Sequence, residues 1–470
     1  MNRALTVILA LLLLAPAAPA AAGPNPAEAV VSVVSLDSQG QPCRQGLGIV
    51  IGKDGKVLTS AAILGQCQGG IIKTAAGTMH LFQKVLHRDL FQDLTLIQIE
   101  AENFPVAPVG TASGSLTADP VQVVVLDNGA LQLRQARLVK TLPFSPRLVL
   151  LKMEPGDLGK DLGTPILNGK GELVGMRHSF AGSPGKSASF QFFLARDRSH
   201  LPREPILKND PSPDAAPTAP DFADFWEGVA ASLHQDWQSA RDQFTAALSH
   251  PGKPPEAYFG RGVARFHLGE YGGAVSDFLE ATRRLPGYAL AFLYLGQVWE
   301  RQGKVEKAKE AYRQAVGADP DLSEAWFRLG VLLYQLGGLG EARECLQRAG
   351  DNFPQAAPRW WYLGGIAQAQ NRWPEALDAL NQAIKADPGF FPAYLEGGKL
   401  LVRDLGRPKE AVPLLKEAVR LEPRHSLARY YLALAHLMSW NPAGVWEQYF
   451  VLQELAPDLA ASLAATMEKQ

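Results

Sequence analysis

Prolines recur through the second half of this chain at one interval: Pro286, Pro320, Pro354 and Pro388 stand 34 residues apart, and one step of 35 reaches Pro423, followed by Pro457 after another 34. Ala240, Ala274, Ala308, Ala342 and Ala376 keep the same time, then Ala411 after the single insertion, as do Gly228, Gly262, Gly296, Gly330, Gly364 and Gly398. A period of this length with one proline per unit predicts stacked helix pairs, because each unit can bury its apolar face only against its neighbours. Proline ends the second helix of a unit, lacking the N–H needed to continue it. Glycine and alanine belong where the two helices cross most closely. Tyr258, Phe292, Trp326, Trp360 and Tyr394, each four residues before a glycine, fill the space between units.

These positions resemble the tetratricopeptide repeat family over residues 221–460, in about seven units with a tail at 461–470. The end units are atypical, with Asp224 at the large position of the first and Ala433 and Val445 replacing glycine and alanine in the last, as capping units are expected to be. The resemblance implies an all-α solenoid whose inner wall is lined by the first helix of each unit. Residues directly after the large position, namely Phe225, Phe259, Leu293, Phe327, Trp361 and Leu395, are the expected lining of a partner-binding groove. One turn on stand Val229, Val263, Gln297, Val331, Gly365 and Lys399. A strip this apolar suits apolar or amphipathic segments of other proteins or peptides.

Residues 23–204 are patterned differently. Short apolar runs such as Val30 to Leu36, Leu47 to Ile51, Leu94 to Ile99, Val121 to Leu126, Leu148 to Met153 and Glu172 to Met176 are broken by turns at Lys53 to Lys56 and Asn168 to Gly171, the signature of an all-β domain. Gly46 to Ile51 with Gly55 to Ile63, Asp93 to Ile99, and Gly163 to Gly175 resemble three segments of the chymotrypsin-like core of exported HtrA-type serine proteases. That resemblance implies a trypsin-like double barrel ahead of the solenoid, so the chain is expected to be multi-domain. Hydrolysis on this fold needs a nucleophile, an imidazole and an orienting carboxylate. Here the histidine place falls on Ala62, the serine place on Leu162, and only the carboxylate, Asp93, is kept. The segment that forms the family's oxyanion pocket reads Lys160 to Pro165, which changes the donor geometry too. The expected domain is therefore a pseudoprotease with no catalytic residues. The alternative is a serine protease of altered mechanism, or one completed by a partner.

Residues 1–22 read as a cleaved secretory signal, with Arg3 before an apolar run and small residues at Ala18 to Ala22, which points to a periplasmic or secreted protein. Residues 205–220, rich in proline and aspartate, read as a linker. With 46 basic and 47 acidic residues, the chain lacks the basic excess of a nucleic-acid binder. After the signal no stretch is apolar enough to span a membrane. Cys43 and Cys67 are candidates for a disulfide in an oxidising compartment, while Cys345 falls inside a repeat helix as a small core residue. No metal site or cofactor is expected. The chain reads as an exported scaffold in which a repeat groove, with or without a dead protease cleft, holds polypeptide partners.

Overall fold

The computed structural model describes residues 26–64, 67, 69–82, 84–89, 94–100, 104–107, 120–127, 130–145, 148–154, 163–177, 191–192, 223–250, 252–350 and 356–468. The expected signal and linker, and the positions of Asp93 and Leu162, lie outside them. The chain forms two compact units, 1–294 and 295–470, divided within a repeat helix, and each is taken by itself.

The first unit opens with antiparallel strands β1 (Val30–Leu36), β2 (Pro42–Gly52), β3 (Lys56–Ser60), β4 (Gly69–Thr74), β5 (Met79–Phe82), β6 (Lys84–Asp89) and β7 (Leu94–Gln98), ordered β5-β4-β1-β2-β3-β7-β6. Among the described residues β5 and β6 are unpaired edges, so the first of the two expected barrels is an open half-barrel. The second closes, in the order β10-β13-β12-β11-β8-β9, from β8 (Pro120–Asp127), β9 (Ala130–Ser145), β10 (Leu148–Glu154), β11 (Pro165–Leu167), β12 (Leu173–Arg177) and β13 (Gln191–Phe192).

Alternation along the strands feeds two cores. Val31, Val33, Val50, Val57 and Ile97 face one cluster, which also takes Ile63 and Leu64 of the short helix α1 (Ala61–Leu64). Val30, Leu47, Ile49, Leu58 and Leu96 face the other, where Val124, Leu167, Leu173 and Met176 of the closed barrel meet them. Both expected turns are made: Gly55 and Gly171 take positive φ, at 83° and 75°, and each donates its N–H back three residues, to Gly52 and Asn168.

From Ala223 to Met467 the described residues form fifteen helices: α2 (Ala223–Leu233), α3 (Trp237–Ala247), α4 (Pro255–His267), α5 (Tyr271–Arg284), α6 (Ala289–Arg301), α7 (Val305–Ala318), α8 (Ser323–Gln335), α9 (Leu339–Ala349), α10 (Ala356–Ala369), α11 (Trp373–Ala386), α12 (Phe391–Arg403), α13 (Pro408–Leu421), α14 (Ser426–Met438), α15 (Pro442–Leu455) and α16 (Pro457–Met467). The tail expected at 461–470 is helical to Met467, where Ala460 and Leu463 of α16 join the core of the last unit.

The beat of glycines has a single physical cause. A Cβ on Gly228, Gly262, Gly296, Gly330, Gly364 or Gly398 would press on Phe244, Phe278, Tyr312, Leu346, Leu380 or Leu415, the large residue of the facing second helix. The recurring alanines from Ala240 to Ala411 are fully buried beside them. The inserted residue is absorbed in the turn 404–407, where Gly406 takes φ 63°. The prolines do more than stop helices. The carbonyl of Pro320 accepts from Trp326 Nε1 at 2.9 Å, that of Pro388 from the Tyr394 hydroxyl at 3.2 Å, and that of Pro423 from Arg429 Nε at 2.8 Å. The large position thus satisfies a carbonyl that proline leaves at the unit boundary.

Candidate functional site: the first-helix face of the repeats

The residues expected to line the groove divide on inspection. Phe225, Phe259, Leu293, Phe327 and Leu395 are buried, none more than 9% exposed, and only Trp361 is half-exposed. The cause is aromatic packing. The Phe259 ring lies 4.8 Å from that of Tyr288 and 5.6 Å from Tyr294, and Phe225 meets Phe244 at 5.7 Å. Five of the six therefore fill space between helices and offer little surface to a partner.

What remains accessible on this face lies one residue or two turns further along. In the second unit, Tyr334 of α8 and Tyr362 of α10 meet edge to face at 5.4 Å, with Trp361 at 4.8 Å and Phe327 at 6.1 Å from the Tyr362 ring. All but Phe327 are half-buried. Gly365, on the turn after Trp361, keeps this pocket open, since a Cβ there would fall 2.8 Å from the Tyr334 hydroxyl. Burial, with Tyr334 and then Glu300 adding negative potential, pushes the Tyr362 phenol above its usual range, so it stays a neutral donor.

Polar groups stand on the neighbouring helices. The fully buried Tyr312 donates its hydroxyl to Glu300 at 2.6 Å, and burial followed by this bond pushes its pKa far up. Arg328 Nε pairs with Glu324 at 3.0 Å, and Lys399 with Glu396 at 2.7 Å, the Lys399 ammonium lying 5.8 Å from the Tyr431 ring. The arrangement offers aromatic faces for apolar side chains, phenols for backbone carbonyls, and one cation of each kind held by a carboxylate. The tyrosines were legible in principle, since Tyr362 and Tyr334 stand two and four residues from their units' glycines, Gly364 and Gly330. Their partnership needs the helix pairing.

In the strand-rich domain Ala62 sits on α1, half-buried, its N–H donating to Ser60 Oγ at 3.2 Å and its carbonyl accepting from Arg44 at 2.7 Å. Gly163, next to the Leu162 position, takes φ 70° and is pressed against this corner. A Cβ there would meet the Leu47 carbonyl, Ser60 N at 3.2 Å and Ile63 Cδ1 at 3.3 Å. Gly163 thus packs against Ser60 and Ile63, which stand on either side of Ala62 in the chain. Ala62 carries only a methyl group, and the hydroxyls of Ser60 and Thr164 are buried. His80 packs edge-on to Phe104 at 5.1 Å. The side chain of His87, and His178, lie outside the described residues.

Cys43 and Cys67 are thiols with sulfurs 2.9 Å apart, and the hydrogen bond they share pushes the Cys43 pKa up to about 11. Cys345 is buried as expected, its thiol also raised to about 11 by desolvation. Among the described residues no group of three or more His, Cys, Asp or Glu could hold a metal, and no helix is long and apolar enough to cross a membrane.

The model of the family described as Cilia and flagella-associated protein 70 C-terminal domain matches residues 215–465, more than half of the chain. Small glutamine-rich tetratricopeptide repeat-containing protein 2 of Mycosarcoma maydis is 27% identical over 94 residues, 20% of this chain and 27% of that protein. The chain thus spans about a quarter of that relative's length. Among solved structures, the C-terminal part of a TPR repeat-containing protein from Cytophaga hutchinsonii aligns with TM-score 0.44 and 16% identity, over 51% of this chain and 98% of that one. Pseudomonas aeruginosa pilF aligns with TM-score 0.40 and 17% identity, over 48% and 99%.

Proposed function

This chain belongs, through residues 215–465, to the family of the Cilia and flagella-associated protein 70 C-terminal domain, and on that premise we propose that it is an exported, non-enzymatic scaffold whose tetratricopeptide repeats hold segments of other polypeptides. The observation that carries the reading is the half-buried cluster of Tyr334, Trp361 and Tyr362 on two successive first helices. Rings held at fixed spacing by α8 and α10 bind apolar side chains at low entropic cost, and neutral phenols orient a peptide backbone.

The strand-rich domain is a pseudoprotease in this reading. Its support is Ala62, which has no proton-accepting atom in its side chain, at the corner where Gly163 brings the segment beside Leu162. Without a base the serine-type acyl route has no proton acceptor. Such a domain serves as a second docking cleft. The sequence of residues 1–22 supports export.

Fluorescence anisotropy of a labelled, permanently unfolded polypeptide tests the scaffold role. Trp361→Ala with Tyr362→Phe is expected to weaken binding about tenfold, in line with the loss of one aromatic anchor and one hydrogen bond. Affinity unchanged in that variant would remove the proposed site.

A further inference from the structure

The last helix pair departs from its predecessors at three surface positions. The turn between the two helices of a unit always places one residue at positive φ: Gln235, Gly269, Gly303, Gly337, Asn371 and Gly406 in the first six units. In the seventh that residue is Trp440, at φ 58° and 85% exposed. A bulky side chain in the left-handed region is strained, and here burial does not compensate the strain. On α15, Trp446 and Phe450 are 46% and 60% exposed, their rings stacked at 5.9 Å one turn apart. No other unit carries an aromatic at either position; the third has Lys309 and Arg313 there.

The electrostatic setting identifies the occupant. From Tyr430 to Glu468 the sequence contains no lysine or arginine, while Glu447 and Glu454 stand exposed on the same helix as the rings. Of the neighbouring cations, Lys416 on α13 acts on the buried His436, and Arg429 on α14 is tied to Gln448 Oε1 at 2.8 Å. A second copy of the chain docked here about a two-fold axis would set these carboxylates against themselves. An anionic lipid surface would be repelled.

We propose that Trp440, Trp446 and Phe450 dock a cationic amphipathic segment of a partner protein, its apolar stripe on the rings and its flanking lysines or arginines on Glu447, Glu454 and the ring faces. This surface lies on the second helix of its unit, apart from the first-helix face described above, and stands independently of it.

The test uses the full chain and a labelled Leu/Lys amphipathic peptide of about 18 residues, five helical turns, followed by anisotropy. A peptide with Glu in place of Lys is the control. Trp446→Lys with Phe450→Arg restores the residues of the third unit, so folding should persist, as circular dichroism would verify. Binding of the Lys peptide is expected to weaken about thirtyfold or more, the loss typical of removing an aromatic anchor. Trp440→Gly restores the turn residue of its neighbours and is expected to raise the melting temperature while weakening binding. Equal binding of the Glu peptide, or undiminished binding by either variant, overturns the proposal. So does a concentration-dependent dimer, or adsorption to phospholipid vesicles, that the double variant abolishes. Should the double variant fail to fold, Trp446→Gln replaces it with the same two readings.

Discussion

Replacing Gly296 by alanine should destabilise the repeats, although the same change at an open helical site stabilises them. The new Cβ would lie 2.8 Å from Tyr312 Cζ and closer still to Cε1 and Cδ1. The ring cannot swing away at little cost, because it is fully buried and its hydroxyl is tied to Glu300 at 2.6 Å. Overpacking costs about 1–3 kcal/mol, and loosening the phenol bond adds about 1 kcal/mol. Against that, exchanging helical glycine for alanine returns about 0.5–1 kcal/mol. The net expected loss is about 1–3 kcal/mol, or roughly 2–10 °C in melting temperature for an array of this size. Gly317→Ala is the control: nothing lies within 4 Å of its Cβ, so only the propensity gain of about 0.5–1 kcal/mol remains. Gly364→Ala falls between, with Leu380 Cγ at 3.2 Å, and should be close to neutral. Thermal melts of the three variants, read by far-ultraviolet circular dichroism at the helical minimum, give the ranking. A Gly296→Ala protein as stable as Gly317→Ala would refute the claim that close helix approach dictates the repeating glycine.

Asp277, 3% exposed at its side chain, accepts from Arg261 at 2.6 Å and from Arg265 at 2.7 Å, so Asp277→Ala should cost about 3 kcal/mol, checked by chemical denaturation. His436 is buried, with Nδ1 3.0 Å from Asn441 Nδ2; desolvation first, then Lys416, lowers its pKa below the usual 6.5. The unfolded chain therefore takes up a proton first as pH falls below about 6.5, and the last unit should lose stability from there down through the lowered folded value. Melts across that range should show the slope, and His436→Asn should flatten it. A mild oxidant should join Cys43 to Cys67, seen as a disulfide-linked peptide pair by mass spectrometry, while the buried Cys345 stays alkylatable only after unfolding.

Most of the fold was legible because its periodicities are imposed by packing. The glycine and alanine beats mark helix crossings, and the alternation at Val30 to Val33 marks a strand facing two cores. The groove was less legible. Position after the large residue pointed to Phe259 and Leu395 as lining, but adjacent helices carry rings and leucines that cover them, and spacing within one unit holds no information on its neighbour's bulk. Tyr334 and Tyr362 become a site only through the pairing of α8 with α10. The open first sheet was equally hidden, since closure depends on whether edge strands meet and not on their apolar pattern. Trp440 could have been found by aligning the units, which sets it beside Gly303 and Gly337.

The molecule is expected to hold polypeptides without cutting them. Native mass spectrometry of the purified protein mixed with unfolded casein reads both events at once. The expected spectrum contains casein bound at full length, with the bound fraction reduced in Trp361→Ala/Tyr362→Phe. Casein fragments that appear with the unaltered protein and vanish with Asp93→Ala would contradict it.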